Sequence, residues 1–253
     1  MRSIGKFFVF LLILLFSVAM LLTYFGGENK KGAPNAGNSD LFMDLTEERL
    51  LGGQMQEYVI EQFGGLSADV KANAILMSVG KKILKSKSVD DAPWDFSFYL
   101  LKDTVTPHLQ ANPDGSVLIT QGLYNLLATE DQLAALLCHG MGHILSRHTV
   151  RNLQDLKNAG TLDVPALRDM VEGAGKQSLT EQFATVLCEH TGSAAEEVEA
   201  DQLARILLQE CGYDPQALRE AFLVLRSHQV AHGKLKILEL HPMHAQRMEQ
   251  LNR

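Results

Sequence analysis

Two histidines in the stretch "LLCHGMGHILSRH" have the spacing of metal ligands on a helix. His139 and His143 lie four residues apart, and four residues of α-helix make about 400° of turn, so both side chains point in the same direction. Two imidazoles on one helical face can bind one metal ion at roughly 2.0–2.1 Å. A catalytic zinc site also needs a third protein ligand and leaves a fourth position for water.

The candidate for the third ligand lies on the next long amphipathic segment, "EEVEADQLARILLQE". This segment contains Glu199, and Asp201 follows two residues later. A carboxylate close to a metal site can hold a ligand histidine in the correct tautomer, which suits Asp201. We therefore predict one Zn²⁺ ion bound by His139, His143 and Glu199, with Asp201 in support.

Histidine spacing alone is a weak signal, because the chain contains a second pair with the same spacing. His228 and His232 ("HQVAH") have no acidic partner of suitable pattern, and we interpret them as solvated histidines on a helix. The first pair differs in its context. It lies on an apolar segment that begins with a capping-box pattern ("TEDQ"), and a Glu-Ala-Asp segment and a terminal His-Pro segment follow in order.

Several other segments have the apolar spacing of helices, and together they predict a mostly helical fold. Two stretches favour short strands instead: "PWDFSFYLL" (residues 93–101) alternates with aromatic residues, and "GSVLITQGL" supplies residues 117–120 after the turn signal "NPDG". A segment at residues 158–177 is interpreted as a surface insertion with one short helix. The predicted fold class is α+β, mostly α, with a small β-sheet.

Three blocks of the sequence resemble metallopeptidase family 48, which includes HtpX, the CAAX prenyl proteases and the BepA-like periplasmic zinc peptidases. The blocks are "TQGLYNLLATEDQLAALLCHGMGHILSRH", "EEVEADQLARILLQECGYDP" and "HPMHAQR", and the resemblance extends over residues 45–253. It implies a gluzincin-type zinc metallopeptidase domain. It also implies that the zinc ligands are the two histidines of the HExxH pattern, His139 and His143, and the first acid of the Glu-Ala-Asp segment, Glu199, with Asp201 in support.

The resemblance also assigns roles outside the ligand set. The closing "HPxxxxR" pattern of the family corresponds to His241, Pro242 and Arg247 and implies that they lie near the cleft, where His241 could contact the metal or cap the site. The strand "DGSVLITQGL" resembles a family strand that could bind an extended substrate by strand addition. Polypeptides are therefore the expected substrates or binding partners.

The sequence departs from the family pattern at Gly140, where the family has the glutamate that deprotonates the zinc-bound water. A positioned general base contributes roughly 10²–10⁴-fold to the rate. A glycine within a helix costs about 1 kcal/mol relative to alanine, so stability offers no reason for its presence. Gly140 therefore indicates natural loss of catalysis or engineered inactivation, unless Glu189 or Glu197 acts as a substitute base.

Two further departures weaken the case for efficient proteolysis without touching the expected ligands. Residues 195–197 read Ala-Glu-Glu where family members often have Ser-Arg-Glu, and "HLQANPDG" replaces an Asn-Ala-Phe segment. His148 is expected to be structural, near the C-terminal end of the helix that carries the first pair. Cys138, Cys188 and Cys211 are too few and too irregularly spaced for a disulfide framework, and we interpret them as small buried residues; in an oxidising compartment one pair could still bridge.

The N-terminus predicts a membrane segment. Residues 7–25 form a stretch of 19 uncharged residues preceded by Arg2 and Lys6, which is about the length that a helix needs to cross a bilayer. We predict a signal anchor at residues 1–26, a flexible linker at residues 27–44 and a metallopeptidase-like domain at residues 45–253. A cleaved signal peptide is the alternative, and both interpretations export the rest of the chain.

The charge of the exported part excludes one class of partner. The first 26 residues contain two of the 23 basic residues and none of the 30 acidic ones, so the remainder has a net charge of −9. Such an acidic chain lacks the positive surface of a nucleic-acid-binding protein. We expect neither DNA nor RNA as a partner.

These observations lead to two hypotheses on function. In the first, the chain is a zinc metalloendopeptidase-like protein tethered to the inner membrane, with its domain in the periplasm or extracytoplasmic space. It would act on misfolded envelope proteins, with catalysis impaired at Gly140. In the second, it is a catalytically dead pseudopeptidase that binds polypeptides or envelope partners.

Overall fold

Most of the helices are stabilised by signals within their own sequence. In the computed structural model, which describes residues 41–172, 187, 192–233 and 235–251, the Asp44 side chain accepts from the Glu47 amide and Glu47 reaches back to Asp44, which caps the first helix. Thr129 and Ser193 cap two later helices in the same manner, through the amides three residues on. Such caps satisfy amides that have no partner within the helix.

The helices are numbered in chain order. They are α1 (Leu45–Gln62), α2 (Val70–Ile83), α3 (Lys87–Asp90), α4 (Gln121–Leu126), α5 (Glu130–Leu145), α6 (His148–Asn158), α7 (Val164–Val171), α8 (Ala194–Glu210), α9 (Ala217–His232), α10 (Lys236–Leu240) and α11 (Ala245–Leu251). The predicted fold class is confirmed, since helices predominate and the described residues contain one small sheet.

The sheet has three strands, one more than the sequence predicted. They are β1 (Ser97–Leu101), β2 (Leu109–Ala111) and β3 (Ser116–Thr120), in the order β1-β3-β2. β3 pairs in parallel with β1 and antiparallel with β2, with Leu109 opposite Ile119. β3 is therefore the central strand, all of its residues are buried, and the short strand β2 lies at one edge.

Helix α5 lies in the middle of the core. Thirteen of its 16 residues are buried, so it is covered on nearly all sides, and it packs against α8, α9, α2 and the sheet. Gly142 allows the closest of these contacts: a Cβ atom at this position would lie 2.6 Å from the backbone oxygen of Ala200. The helices that carry the first histidine pair and the Glu-Ala-Asp segment are thereby brought backbone to backbone.

The sequence predicted that His148 closes the helix that carries the first pair, and this prediction is wrong. His148 begins the next helix instead. α5 ends at Leu145, Arg147 adopts a left-handed conformation with φ 54°, and α6 starts at His148. The Arg147 side chain bonds to the buried carboxylate of Glu48 on α1. This sharp turn folds the His148 side chain back towards the end of α5.

Several of the sequence predictions concern residues that lie wholly or partly outside those that the structure describes. Residues 1–40, which include the predicted anchor and most of the predicted linker, lie outside the described residues, as do Cys188 and Glu189. None of the helices formed by the described residues has the length and apolar character that crossing a bilayer requires. Cys138 and Cys211 are free thiols.

Candidate metal centre

Four side chains bring ligand atoms to one point at the end of α5. They belong to His139, His143, Glu197 and His241, and the four ligand atoms lie within 4.8 Å of one another. His139 Nε2 lies 3.2 Å from His143 Nε2 and 3.3 Å from His241 Nδ1. The Glu197 carboxylate lies 3.2 Å from His241 Nδ1 and 3.5 Å from each of the other two nitrogens.

Three elements supply these side chains, and close backbone contacts hold the elements in place. α5 supplies the two histidines, α8 supplies Glu197, and His241 directly follows α10. The loop before α8 is tied to α10 by a hydrogen bond from the Gly192 amide to the Leu240 oxygen (3.1 Å). A Cβ atom on Gly192 would lie 2.2 Å from Glu197 Oε1, so this position needs a glycine to leave room for the carboxylate.

A buried layer of charges supports the four ligand side chains. Asp201 Oδ1 lies 3.0 Å from His139 Nδ1, so the ring of His139 carries its proton there and turns the Nε2 lone pair towards the group. Arg247 is fully buried and donates to both Asp201 oxygens (2.6 and 2.9 Å). It also lies 2.8 Å from Glu197 Oε2 and 4.0 Å above the ring of Phe222.

The acid that converges with the histidines is Glu197 and not Glu199, the ligand expected from the sequence. Residues two apart on a helix point about 200° apart, so the two glutamates of α8 face different sides. Glu199 lies instead against α6, where it accepts from Arg151 Nη1 at 2.9 Å and lies 3.2 Å from His148 Nε2. The sequence feature that could have identified Glu197 is the four-residue interval between Glu197 and Asp201, which places both acids on one face of the helix.

The other predicted site residues are brought together at this group. His139, His143, Asp201, His241 and Arg247 all lie in the group or in contact with it. His241 is one of the four converging ligands rather than a residue at the rim. Arg247 forms ion pairs with the two buried acids, Glu197 and Asp201, and so stabilises the group from the side away from the cleft.

Burial sets the protonation of the group. It lowers the pKa of His139 and moves the pKa of His143 well below its usual value, so both imidazoles are neutral near pH 7 and have free lone pairs. Burial acts to raise the pKa of Glu197, but the charge of His241 and its hydrogen bond to the carboxylate outweigh burial, and the pKa lies well below its usual value. Asp201 likewise remains ionised, because Arg247 outweighs the effect of burial on its pKa.

The donor set fits one zinc ion. Ligand atoms at 2.0–2.1 Å from a tetrahedral zinc ion lie about 3.3 Å from one another. Five of the six separations within this group are 3.2, 3.2, 3.3, 3.5 and 3.5 Å, and all four ligand atoms lie within 4.8 Å of one another. Three imidazoles and one carboxylate are ligands that zinc prefers. Four protein ligands, however, are the number found in closed, structural zinc sites rather than in open, catalytic ones.

Gly140 lies between the two histidines and faces the sheet. A Cβ atom at this position would lie 3.0 Å from Val117 Cγ1 and 3.5 Å from Leu109 Cδ2, so apolar side chains fill the space on that side of α5. Glu197, one of the two acids considered as a substitute base, is instead in the ligand group, and the other, Glu189, lies outside the described residues.

A cleft opens beside the group along the edge of the sheet. It is lined by strand β2, by His143 and His241, and by residues of α6 and α8. The sequence indicated "DGSVLITQGL" as the strand that binds an extended substrate, but β3 is paired on both sides. The strand that lines the cleft is β2, which pairs with β3 along one edge only.

The comparisons with known proteins agree with this site. Residues 71–253 match peptidase family M48. The chain is similar to the beta-barrel assembly-enhancing protease of Escherichia coli K12 (27% identical; 65% of this chain and 35% of that protein). It is also similar to the mitochondrial metalloendopeptidase OMA1 of Schizosaccharomyces pombe (22%; 84% and 62%) and to the metalloprotease LoiP of E. coli K12 (24%; 65% and 64%).

These alignments span about a third of the first relative and under two thirds of the other two. The family match covers well over half of the 253 residues and includes all four converging side chains, Gly140 and Arg247. The chain belongs to peptidase family M48.

Proposed function

We propose that the chain is a zinc metalloendopeptidase-like protein that binds extended polypeptides and whose catalysis is impaired at Gly140. The observation that carries this proposal is the convergence of His139, His143, Glu197 and His241 at the end of a cleft lined by an edge strand. The similarity to three proteins named as proteases supports it.

The residues of the chain have separable tasks in this proposal. His139, His143, Glu197 and His241 would hold the zinc ion, which supplies Lewis acidity that polarises a peptide carbonyl and acidifies water. The outer edge of β2 offers backbone N–H and C=O groups to an extended peptide, so substrate would be held in the cleft by strand addition. Asp201 and Arg247 keep His139 and Glu197 oriented and charged appropriately.

The missing task is proton transfer. In the family pattern the residue after the first histidine is the base, and here Gly140 has no side chain while Val117 and Leu109 occupy its surroundings. A positioned base contributes roughly 10²–10⁴-fold, so cleavage by this chain would be slower by that order.

A second candidate function is a pseudopeptidase that binds polypeptides without cleaving them. The position of His241 favours this alternative, because it adds a fourth protein ligand at the place where a catalytic zinc site leaves room for water. In this case the zinc ion would stabilise the fold around the cleft, and the cleft would retain the peptide.

The cellular setting is also part of the proposal. The uncharged residues 7–25 and the preceding basic residues favour an inner-membrane anchor with the domain on the periplasmic or extracytoplasmic side. One relative is named for enhancing β-barrel assembly, and we propose misfolded envelope proteins as the class of substrate or client.

The test compares three forms of the full chain, purified in detergent micelles: the chain as it stands, Gly140→Glu and the isosteric control Gly140→Gln. We expect one zinc ion per chain in all three and measurable casein cleavage only in Gly140→Glu, abolished by chelation. Equal activity in Gly140→Gln would show that the base is another group. Absence of zinc from the unaltered chain would contradict the proposal as a whole.

The crowding at Gly140 needs its own control. Val117 must move by a few tenths of an ångström to accept a Cβ atom at 3.0 Å, so Gly140→Glu is also made together with Val117→Ala. If the double variant folds, holds zinc and still does not cleave casein at all, the pseudopeptidase is favoured. Retention of an extended peptide by the unaltered chain, lost when a proline disrupts β2, would identify its binding mode.

A further inference from the structure

His148 and Glu199 form a second chain of contacts behind one of the converging histidines. His148 Nδ1 lies 2.8 Å from His143 Nδ1, and His148 Nε2 lies 3.2 Å from Glu199 Oε2. Arg151 donates to the same Glu199 oxygen at 2.9 Å. His148 is only 3% exposed, so water does not easily replace these contacts.

The distances leave one consistent arrangement of protons. His143 directs Nε2 into the ligand group, where it lies 3.2 Å from His139 Nε2, so a neutral ring that offers this lone pair to a metal carries its proton on Nδ1. That N–H donates to His148 Nδ1, which must therefore be the acceptor. The proton of His148 is then on Nε2 and donates to the Glu199 carboxylate.

We infer that His148 and Glu199 are positioning residues of the metal centre, acting in series to hold the ring of His143 with its Nε2 aimed at the ligand group. This inference rests on the proposed function in so far as the group binds zinc. It assigns a role to Glu199, which the sequence had suggested as a ligand, and to the turn at Arg147, which folds His148 back onto α5.

The two histidines of α5 are then supported in parallel ways. His139 is held directly, by Asp201 Oδ1 at 3.0 Å from its Nδ1, whereas His143 is held through an intervening imidazole. The carboxylate at the end of each path is neutralised by an arginine, Arg247 for Asp201 and Arg151 for Glu199. In both, a carboxylate fixes the tautomer of a ligand histidine, which strengthens metal binding.

The first test measures zinc affinity by competition with a chelator in the full chain. We expect His148→Leu to weaken binding by roughly 10–100-fold. His148→Gln should lose less, because the amide oxygen can still accept from His143 Nδ1–H. Glu199→Gln should weaken binding by a smaller factor, and Asp155→Asn, which removes a charge from the exposed face of α6, should leave it unchanged.

A double-mutant cycle separates action in series from simple charge effects. If Glu199 acts through His148, Glu199→Gln has no further effect on zinc affinity once His148 is leucine. An effect of Glu199→Gln that persists in the His148→Leu background would overturn the serial arrangement, as would unchanged affinity in both single variants. Glu199 is 32% exposed, so its variant should fold even if His148→Leu does not.

A second measurement makes the inference independent of zinc binding. In the metal-free chain with ¹⁵N-labelled histidine, long-range ¹H–¹⁵N correlations report which ring nitrogen carries the proton. We expect His148 to be protonated on Nε2, and this should hold even if the chain proves unable to bind zinc, which would contradict only the proposed function. A His148 ring protonated on Nδ1 would overturn the inference.

Discussion

The two histidine pairs of this chain have the same spacing and different surroundings. The rings of His139 and His143 lie 4.7 Å apart at 87°, with His139 buried in the core and His143 beside the cleft. Those of His228 and His232 stack 4.1 Å apart at 22° at the end of α9, where His232 Nδ1 lies 3.2 Å from the His228 backbone oxygen. Rings at right angles can direct two nitrogens to one point, whereas these stacked rings lie face to face.

The difference shows that the rest of the fold, and not the interval between the histidines, creates the candidate site. The first pair is joined by a carboxylate from α8 and an imidazole from beyond α10, and it is backed by buried Asp201 and Arg247. Among the residues described by the structure, no third metal-ligating side chain joins the second pair. Identical local patterns therefore differ in function because of long-range contacts.

The largest expected effect comes from removing one imidazole from each pair. His143→Ala should abolish stoichiometric zinc binding, because it deletes one of the four converging ligands, whereas His232→Ala should leave the zinc content unchanged. Zinc per chain after desalting measures both. Retention of zinc by His143→Ala together with its loss from His232→Ala would reverse the assignment of the two pairs.

The next prediction concerns Arg247, the buried cation behind the first histidine pair. Arg247→Ala leaves Glu197 and Asp201 buried without their partner, so we expect the free energy of unfolding to fall by about 3–5 kcal/mol. Arg168→Ala is the control, since it breaks an exposed pair with Glu47 (3.2 Å) and should cost about 0–1 kcal/mol. Denaturant unfolding measures both, and equal costs would mean that Arg247 does not compensate the buried acids.

His108 shows the effect of burial on a histidine pKa outside the group of converging side chains. Burial, with the nearby charges of His241 and Lys236, lowers the pKa of His108 to about 3, and its ring stacks on Phe63 at 4.6 Å. Below pH 6.5 His108 binds a proton in the unfolded chain, whereas in the folded chain it remains neutral until about pH 3. The free energy of unfolding therefore falls as the pH is lowered over this range. The slope from this one group approaches about 1.4 kcal/mol per pH unit.

The measurement is the free energy of unfolding between pH 7 and pH 4 in the presence of a chelator, for the unaltered chain and for His108→Leu. The variant should lose stability less steeply as the pH is lowered. An unchanged slope would show that His108 is already protonated in the folded chain. Any dependence of the free energy of unfolding on pH that remains in His108→Leu, and that exceeds the contribution of His108, would come from His139 and His143.

The helices were predictable because their signals are local. The capping pattern at Thr129 and the apolar spacing after it predicted α5, and the segment beginning "AAEEVEADQ" predicted α8. Strand β2 escaped prediction, because three residues carry no period of their own and Leu109–Ala111 becomes a strand only by pairing with β3. The outcome for His148 depended on the left-handed turn at Arg147, a residue type that rarely adopts this conformation.

In the candidate site, family resemblance and spacing predicted most of the residues that converge, but the converging acid is not the predicted one. The acid of the Glu-Ala-Asp triplet, Glu199, was taken as the ligand, whereas the helical period favours Glu197, four residues before Asp201. The contacts of Arg247 with both acids were not predictable, because they join α8 to a residue 46 positions from Asp201. Sequence reasoning thus found the face of each helix less reliably than the helix itself.

The smallest expected effect concerns how the two helices with histidine pairs begin. Thr129 accepts from the Gln132 amide at 3.2 Å at the start of α5, whereas Gln216 makes no side-chain cap at the start of α9. Thr129→Ala should lower the free energy of unfolding by about 1 kcal/mol, and Gln216→Ala should change it by a few tenths of that or less. Denaturant unfolding of the metal-free chain compares them, and equal effects would mean that the fixed start of α5 does not distinguish the first pair from the second.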